Sequence, residues 1–290
     1  MAIDDVIWSE EEQVLVSSAD LEAPLYEAMA EWLTREWSSQ ERDHQVADVG
    51  CGAGGMTSAL ASRVEGGRID AVDREPALLD VAWRRISEAK LGECVRLLIG
   101  DIERLTLPEA SYDLVWAGSV IHHLPDQHAG IRRLARLLSP GGRLALGEGG
   151  LGLRCLPYDL GIGRPGLEER LASAQAEWFD ALRAGMPGGV RAPGGWNTLL
   201  AQAGLVDPAK RSFLFEMSPP LPDVAVAYLI AHFQSLRRRP GLWSRLDPDD
   251  AAVMRRLLDP DDGAFLGRRD DTFLLTARSV HVARRPLSDP

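Results

Sequence analysis

"VADVGCGAGG", Val46 to Gly55, is the stretch on which the reading of this chain turns. An apolar run carrying Asp48 is followed by four glycines within six positions, Gly50, Gly52, Gly54 and Gly55. Gln45 to Val49 predicts a short strand. Gly50 to Gly55 predicts a loop that bends sharply or lets a ligand approach its backbone. Met56, Leu60 and Val64 recur at a spacing of four, which suits a helix. A strand, a glycine loop and a helix in that order aim backbone N–H groups at a ligand.

The same alternation extends outward. Strands are expected at Arg68 to Val72, Val95 to Ile99, Asp113 to Ala117 and Arg143 to Leu146. Pro76 opens a helix reaching about Lys90. Ile131, Leu134, Ala135 and Leu138 mark another, stopped by "SPGG" at Ser139 to Gly142. Short apolar strands separated by helices imply a parallel sheet covered on both faces. Before this core, Leu21, Leu25, Met29 and Leu33 predict a helix from about Asp20 to Trp37. After Glu148 the rhythm fails. A Gly/Pro-rich stretch leads to the helix "LEERLASAQAEWFDALRAG", and a second break leads to "WNTLLAQAG". A strand at Ser212 to Met217, a helical stretch from about Pro222 to Leu258 and a last strand at Thr272 to Val282 follow.

Composition narrows the partners. The 290 residues, 45% hydrophobic and 26% charged, suffice for a large buried core. No run of about 18 apolar residues predicts a membrane span. The acidic start "MAIDDVIWSEEE" lacks a secretory pattern. Three scattered cysteines, Cys51, Cys94 and Cys155, predict a reduced, cytoplasmic setting with neither structural zinc nor a disulfide framework. A net charge of −11 argues against a nucleic-acid partner, which needs a basic surface. Arg237 to Arg239, followed by Asp247, Asp249 and Asp250, read as a solvated helix end.

The acids choose between ligands. Gly50, Gly52 and Gly55 satisfy GxGxxG, a weak dinucleotide signal. Asp48 opposes it, because a carboxylate two residues before the loop suits an ammonium or sulfonium better than a diphosphate. Asp73 ends the second strand, where its oxygens can accept ribose hydroxyls, a role that dinucleotide folds share. Asp101 ends the third strand and is followed by apolar Ile102, a pair suited to an adenine amino group and ring. A single strand-end aspartate is commonly a cap or turn former. Three at successive strand ends, with the loop, are not explained that way.

"VADVGCGAGG", "IDAVDRE", "GDIERL", "YDLVWAGSVIHHL" and "LARLLSPGGRLALGE" together resemble the ordered motifs of the class I S-adenosylmethionine-dependent methyltransferases, over roughly Gln45 to Glu148. The resemblance implies an α/β fold: a Rossmann-like seven-stranded sheet with helices on both faces, the last strand antiparallel, plus helical cap insertions. It implies S-adenosylmethionine as cofactor and S-adenosylhomocysteine as product. Asp48 and the loop Gly50, Cys51, Gly52 and Gly54 would hold the methionine part. Asp73 with Arg74 would take the ribose, and Gly100, Asp101 and Ile102 the adenine. The backbone of Ala117, Gly118 and Ser119 would approach the amino end. The expected segments are an N-terminal helical cap at 1–42, the cofactor-binding core at 43–150 and a cap insertion at 151–192. Residues 193–290 would complete the core, with a helical insertion at about 219–268.

A general base is needed only where the nucleophile still carries its proton. Its candidates are His122 and His123 after the fourth strand and Glu148 at the end of the fifth. Each also has a structural reading, as a loop-holding histidine or a capping acid. Cys51 lacks a nearby base and reads as space-filling. Tyr26, Tyr158, Trp178, Trp196 and His232 could line an aromatic pocket or be plain core. The leading expectation is methyl transfer to a small-molecule metabolite of bacterial specialised metabolism, on carbon, nitrogen or oxygen. Methylation of protein or RNA, and a cyclase or scaffold that does not use the methyl group, are the alternatives. Oligomeric state is open, a homodimer included.

Overall fold

The computed structural model describes residues 8–37, 43–64 and 66–287. Parts of the expected N-terminal segment, 1–7 and 38–42, lie outside the described residues. In chain order the elements are α1 (Trp8–Leu21), α2 (Ala23–Thr34), β1 (Gln45–Val49), α3 (Gly55–Ala61), β2 (Arg68–Asp73), α4 (Pro76–Glu88) and β3 (Val95–Ile99). Then come β4 (Tyr112–Gly118), α5 (Gln127–Leu137), β5 (Leu138–Arg154), α6 (Leu167–Ala184), α7 (Trp196–Gln202), β6 (Val206–Met217), α8 (Asp223–Arg238), α9 (Pro248–Leu257) and β7 (Leu274–Arg284).

The seven strands form one mixed sheet in the order β3-β2-β1-β4-β5-β7-β6. β1 pairs in parallel with β2 and β4, β2 with β3, and β4 with β5. Contacts of β7 run the other way. Arg285 exchanges backbone hydrogen bonds with Gly141 and Gly142 near the start of β5, while Thr276 reaches the Leu151 carbonyl near its end. Likewise Ser279 meets Ser212 of β6, and Arg284 meets Asp207. Chain order reverses between β1 and β4, the switch point beyond whose carboxyl ends such sheets bind ligands.

Four expectations are corrected. The helix read from Asp20 to Trp37 is two helices, because Pro24 lies in the first turn of α2 and a proline there starts a helix and cannot continue one. The fifth strand extends far beyond Arg143 to Leu146. Its "SPGG" and the glycines after Glu148 lie within the strand, where β7 supplies hydrogen-bonding partners. β6 begins at Val206, six residues early. The helical stretch after Pro222 breaks at Pro240 and restarts at Pro248, the first residue of α9.

Contacts divide the chain into two compact units. One comprises Glu22–Gly150, Gly188–Phe213 and Arg278–Pro290. On one face of its sheet Ala47, Val49, Val115, Ala117, Leu144 and Leu146 pack with Ile131 and Leu134 of α5 and Leu199 and Leu200 of α7. Period-two alternation explains this set, since these residues point one way and their neighbours Asp48, Trp116 and Ala145 the other. The second unit comprises Met1–Leu21, Leu151–Pro187 and Leu214–Ala277. Its core joins Leu171, Trp178 and Leu182 of α6 to Leu229, Phe233 and Leu236 of α8 and Met254 and Leu257 of α9. Trp178 donates its indole N–H to the Pro240 carbonyl at 2.9 Å, and Arg170 grips buried Asp250 with two hydrogen bonds of 2.7 and 2.8 Å. Among the described residues no helix is long and apolar enough to cross a membrane.

Candidate functional site

β1 delivers Asp48 to the switch point, and the chain then turns through Gly50 to Gly54 into α3. The amides of Gly50 and Cys51 both donate to the Val72 carbonyl of β2, at 2.7 and 3.0 Å, which folds the loop back over the adjacent strand. Two glycines do different work there. A side chain at Gly50 would meet Val120 at 2.2 Å, so that position is closed by packing. At Gly52, with φ +53°, a side chain would meet nothing within 4 Å. The backbone at Gly52 faces open space.

Asp48 is buried, and its Oδ2 accepts the Thr57 hydroxyl at 2.6 Å. Its Oδ1 is buried with no hydrogen-bond partner among the described residues. Burial pushes the carboxyl up to about 7; the Thr57 bond opposes this and Asp73 adds to it. A buried carboxylate oxygen without a donor is costly and calls for a cation or N–H group from outside. Asp73 accepts the Gly52 amide at 2.8 Å on Oδ2 and the Glu75 amide at 3.0 Å on Oδ1. A carboxylate offers about four lone-pair sites, so each oxygen keeps one for a hydroxyl. Arg74 pairs with Glu75 at 3.4 Å. The Cys51 thiol is driven well above its ordinary range, first by burial and then by Asp48 and Asp73, which keeps it protonated.

Beyond β3, Gly100 donates its amide to the Asp73 carbonyl at 3.0 Å, tying the two strand ends together. Asp101 caps the short turn Ile102–Arg104 by accepting the Glu103 amide on Oδ1 at 2.7 Å. The capping role common to strand-end aspartates is therefore real here, and it occupies one oxygen. Ile102 packs in the core that holds Val49 and Ala117. At the end of β4 Ala117 is fully buried, and a side chain at Gly118 would collide with the Trp116 indole at 2.9 Å. Ser119 takes a left-handed φ of +56°, sparsely populated for serine, and donates its amide to Gly147 at 2.9 Å.

The three candidates for acid–base work come together. Buried Glu148 accepts the amides of Val120 and Ile121 on Oε1, at 3.0 and 2.8 Å. Its Oε2 lies 2.7 Å from His122 Nδ1, and the His122 and His123 rings are 3.9 Å apart between centroids. Sequence reasoning missed two residues behind them. His281 of β7 bonds through Nδ1 to Asn197 of α7 at 2.9 Å, and Glu148 is near enough to act on its ring electrostatically. Burial, with Lys210, holds His281 below the ordinary imidazole range, while Glu148 opposes both. The one signal was a histidine between Val280 and Val282 in a strand. Thr57, the partner of Asp48, was also missed, since a threonine in a first helical turn is unremarkable.

This geometry defines a class: a doubly wound domain whose switch point offers a glycine cradle, a buried unpartnered carboxylate oxygen and a second strand-end carboxylate to a cationic nucleoside ligand. Comparison supplies the family. Residues 47–146 match the methyltransferase domain model. The methyltransferase GfsG of Streptomyces halstedii is 35% identical over 132 residues, 46% of this chain and 47% of that protein. The 27-O-demethylrifamycin SV methyltransferase of Amycolatopsis mediterranei is 35% identical over 104 residues, 36% and 38% of the two chains. The chain thus spans under half the length of these curated relatives. The YcgJ protein of Bacillus subtilis, 20% identical with a TM-score of 0.52 over 90% of this chain and 97% of that one, shares the fold. Residues 47–146 are a class I S-adenosylmethionine-dependent methyltransferase domain. Unpartnered Asp48 Oδ1 and the open backbone at Gly52 fit that cofactor.

Proposed function

We propose that this chain transfers a methyl group from S-adenosylmethionine to a small-molecule metabolite by in-line displacement, releasing S-adenosylhomocysteine. The observation that carries the reading is the buried Asp48 oxygen without a donor among the described residues, on the strand that leads into the open backbone at Gly52. The cofactor supplies a methyl group already activated by a positively charged sulfur. Asp48 would hold its ammonium end, Asp73 its ribose, and Asp101 with Ile102 its adenine. What remains for the protein is to align the acceptor and exclude water, and positioning of this kind contributes on the order of 7–11 kcal/mol. His122, His123 and Glu148 stand beyond Ala117 to Ser119 as the groups able to manage a proton.

A small acceptor is supported by the net charge of −11, which disfavours an RNA substrate, and by the relative whose name specifies 27-O-demethylrifamycin SV, a small molecule. Bacterial specialised metabolism is the setting we infer, and three free cysteines suit a cytoplasmic one. Calorimetry with S-adenosylmethionine and S-adenosylhomocysteine should give binding of both, weakened by about 1–3 kcal/mol in Asp73→Ala. Methyl-labelled donor incubated with fractionated bacterial extract should label small molecules. Label confined to protein or RNA would replace the small-molecule reading, and tight binding without demethylated product would indicate a cyclase or scaffold.

A further inference from the structure

We infer that β6 is the seam of a homodimer, where it pairs antiparallel with the same strand of a second copy of this chain and sets Lys210 opposite that copy's Glu216. β6 stands last in the sheet order, so among the described residues its strand neighbour is β7 alone. Every second backbone N–H and C=O of an edge strand points away from its neighbour, and such a row is a template for another strand. β6 runs for 12 residues, about twice the usual strand length. Its start is unsuited to pairing, because Asp207 has a left-handed φ of +54° and Pro208 has no N–H to donate. The stretch from Lys210 to Glu216 carries neither obstacle.

Period-two alternation divides that stretch into two faces. Arg211, Phe213 and Phe215 turn to one of them, where Phe213 is buried and meets the Trp32 ring of α2 edge-on at 5.9 Å. Lys210, Ser212, Leu214 and Glu216 turn to the other. All four are exposed, Leu214 by 63%. Lys210 and Glu216 have no ion-pair partner among the described residues. Two opposite charges thus stand unmatched on one open face, three residues to either side of Phe213.

Those charges select the occupant and the register. A two-fold axis through Phe213 sets Lys210 opposite Glu216 and Ser212 opposite Leu214, and the contact is isologous, so each pair occurs twice. Unlike charges directly opposed across two strands stabilise the pairing, and like charges oppose it. The two Leu214 side chains become diagonal neighbours across the seam, within reach of each other. Other arrangements lose these matches. Parallel pairing in register sets Lys210 against Lys210 and Glu216 against Glu216. A slip of one residue turns the exposed face of one copy to the covered face of the other. A slip of two sets Glu216 opposite Pro208 or Ser212 and leaves both charges unmatched.

Sedimentation equilibrium on the intact chain tests this. Wild type is expected to pass from monomer to dimer as its concentration rises. Lys210→Glu and Glu216→Lys should each weaken the dimer about tenfold or more, because symmetry makes both opposed pairs like-charged. An equimolar mixture of the two variants should recover wild-type association, since a heterodimer restores both unlike pairs. Hydrogen exchange on wild type should show amides between Lys210 and Glu216 gaining protection with concentration. A wild type that stays monomeric up to about 1 mM overturns the inference. So does a dimer indifferent to either charge reversal, a mixture no tighter than its components, or concentration-dependent protection confined to other elements. The wild-type exchange result decides even where a variant fails to fold.

Discussion

Thr57 donates its hydroxyl to Asp48 Oδ2 at 2.6 Å, across the turn that joins β1 to α3, and so divides the two oxygens of one carboxylate between different tasks. The bonded oxygen anchors the start of α3 to the sheet. The other is buried and unmatched within the described residues, which is how a folded chain holds a site ready for a cation.

Asp48 therefore makes both stability and binding depend on pH, with opposite signs. Its carboxyl titrates near 3.8 when exposed and near 7 in the fold. A raised acid favours the folded state fully below about pH 4, and that contribution is lost as pH rises through about 7. Chemical denaturation should show the unliganded protein losing on the order of a few kcal/mol over that window. Asp48→Asn should abolish the loss. A cation at Asp48 favours the ionised form, so S-adenosylmethionine affinity measured by calorimetry should fall as pH drops below 7, by up to about tenfold per pH unit.

Gly50 and Gly52 separate packing from binding. Gly50→Ala places a methyl 2.2 Å from Val120 at φ +77°, and should cost about 2–4 kcal/mol in a urea melt. Gly52→Ala meets no atom within 4 Å and should cost only the backbone strain, about 1–2 kcal/mol. Its methyl would stand in the open space assigned to the cofactor, so cofactor affinity should drop about tenfold or more in this variant, about 1.4 kcal/mol. Equal affinities of Gly52→Ala and wild type would remove the loop from the binding site.

Tyr112 and Asp70 test the sheet itself. The Tyr112 hydroxyl donates to Asp70 Oδ2 at 2.6 Å, and Arg96 grips the same carboxylate with two bonds of 2.8 Å. Burial and Asp70 push the phenol above its ordinary range. Tyr112→Phe should destabilise by about 1–2 kcal/mol, because Arg96 keeps Asp70 partnered. The measure is the shift in denaturation midpoint, with cofactor affinity unchanged.

Arg170 and Asp250 test the helical unit. Among the described residues, removing the guanidinium in Arg170→Ala leaves a buried carboxylate with Arg164, 3.7 Å away, as its remaining ion-pair partner. The loss should approach about 3 kcal/mol, the lower end for a broken buried pair, since Arg170 is itself 31% exposed. Replacing both partners by apolar residues should recover most of it in a double-mutant cycle.

β1 and β3 were legible to the residue because each is a compact apolar run bounded by turn residues. β5 was not. Its glycines read as breaks, and pairing with β7, from well over a hundred residues later, adds to the ladder with β4 the hydrogen bonds that keep Leu138 to Arg154 extended. The split between α1 and α2 was written in Pro24, yet four-residue spacing continues through it, so periodicity alone masked the boundary.

What the amino-acid order determined by itself is the rhythm of strands and helices, the glycine loop and the acids at successive strand ends. Those depend on local backbone preference and on periods of two and 3.6 that any short window carries. Tertiary structure alone decided which Asp48 oxygen lacks a partner among the described residues, which glycine faces open space, and that Glu148 meets His122 and the amides of Val120 and Ile121. Such relations join residues whose separation along the chain carries no trace of their separation in space, because they arise only when the sheet brings β1, β4, β5 and β7 side by side.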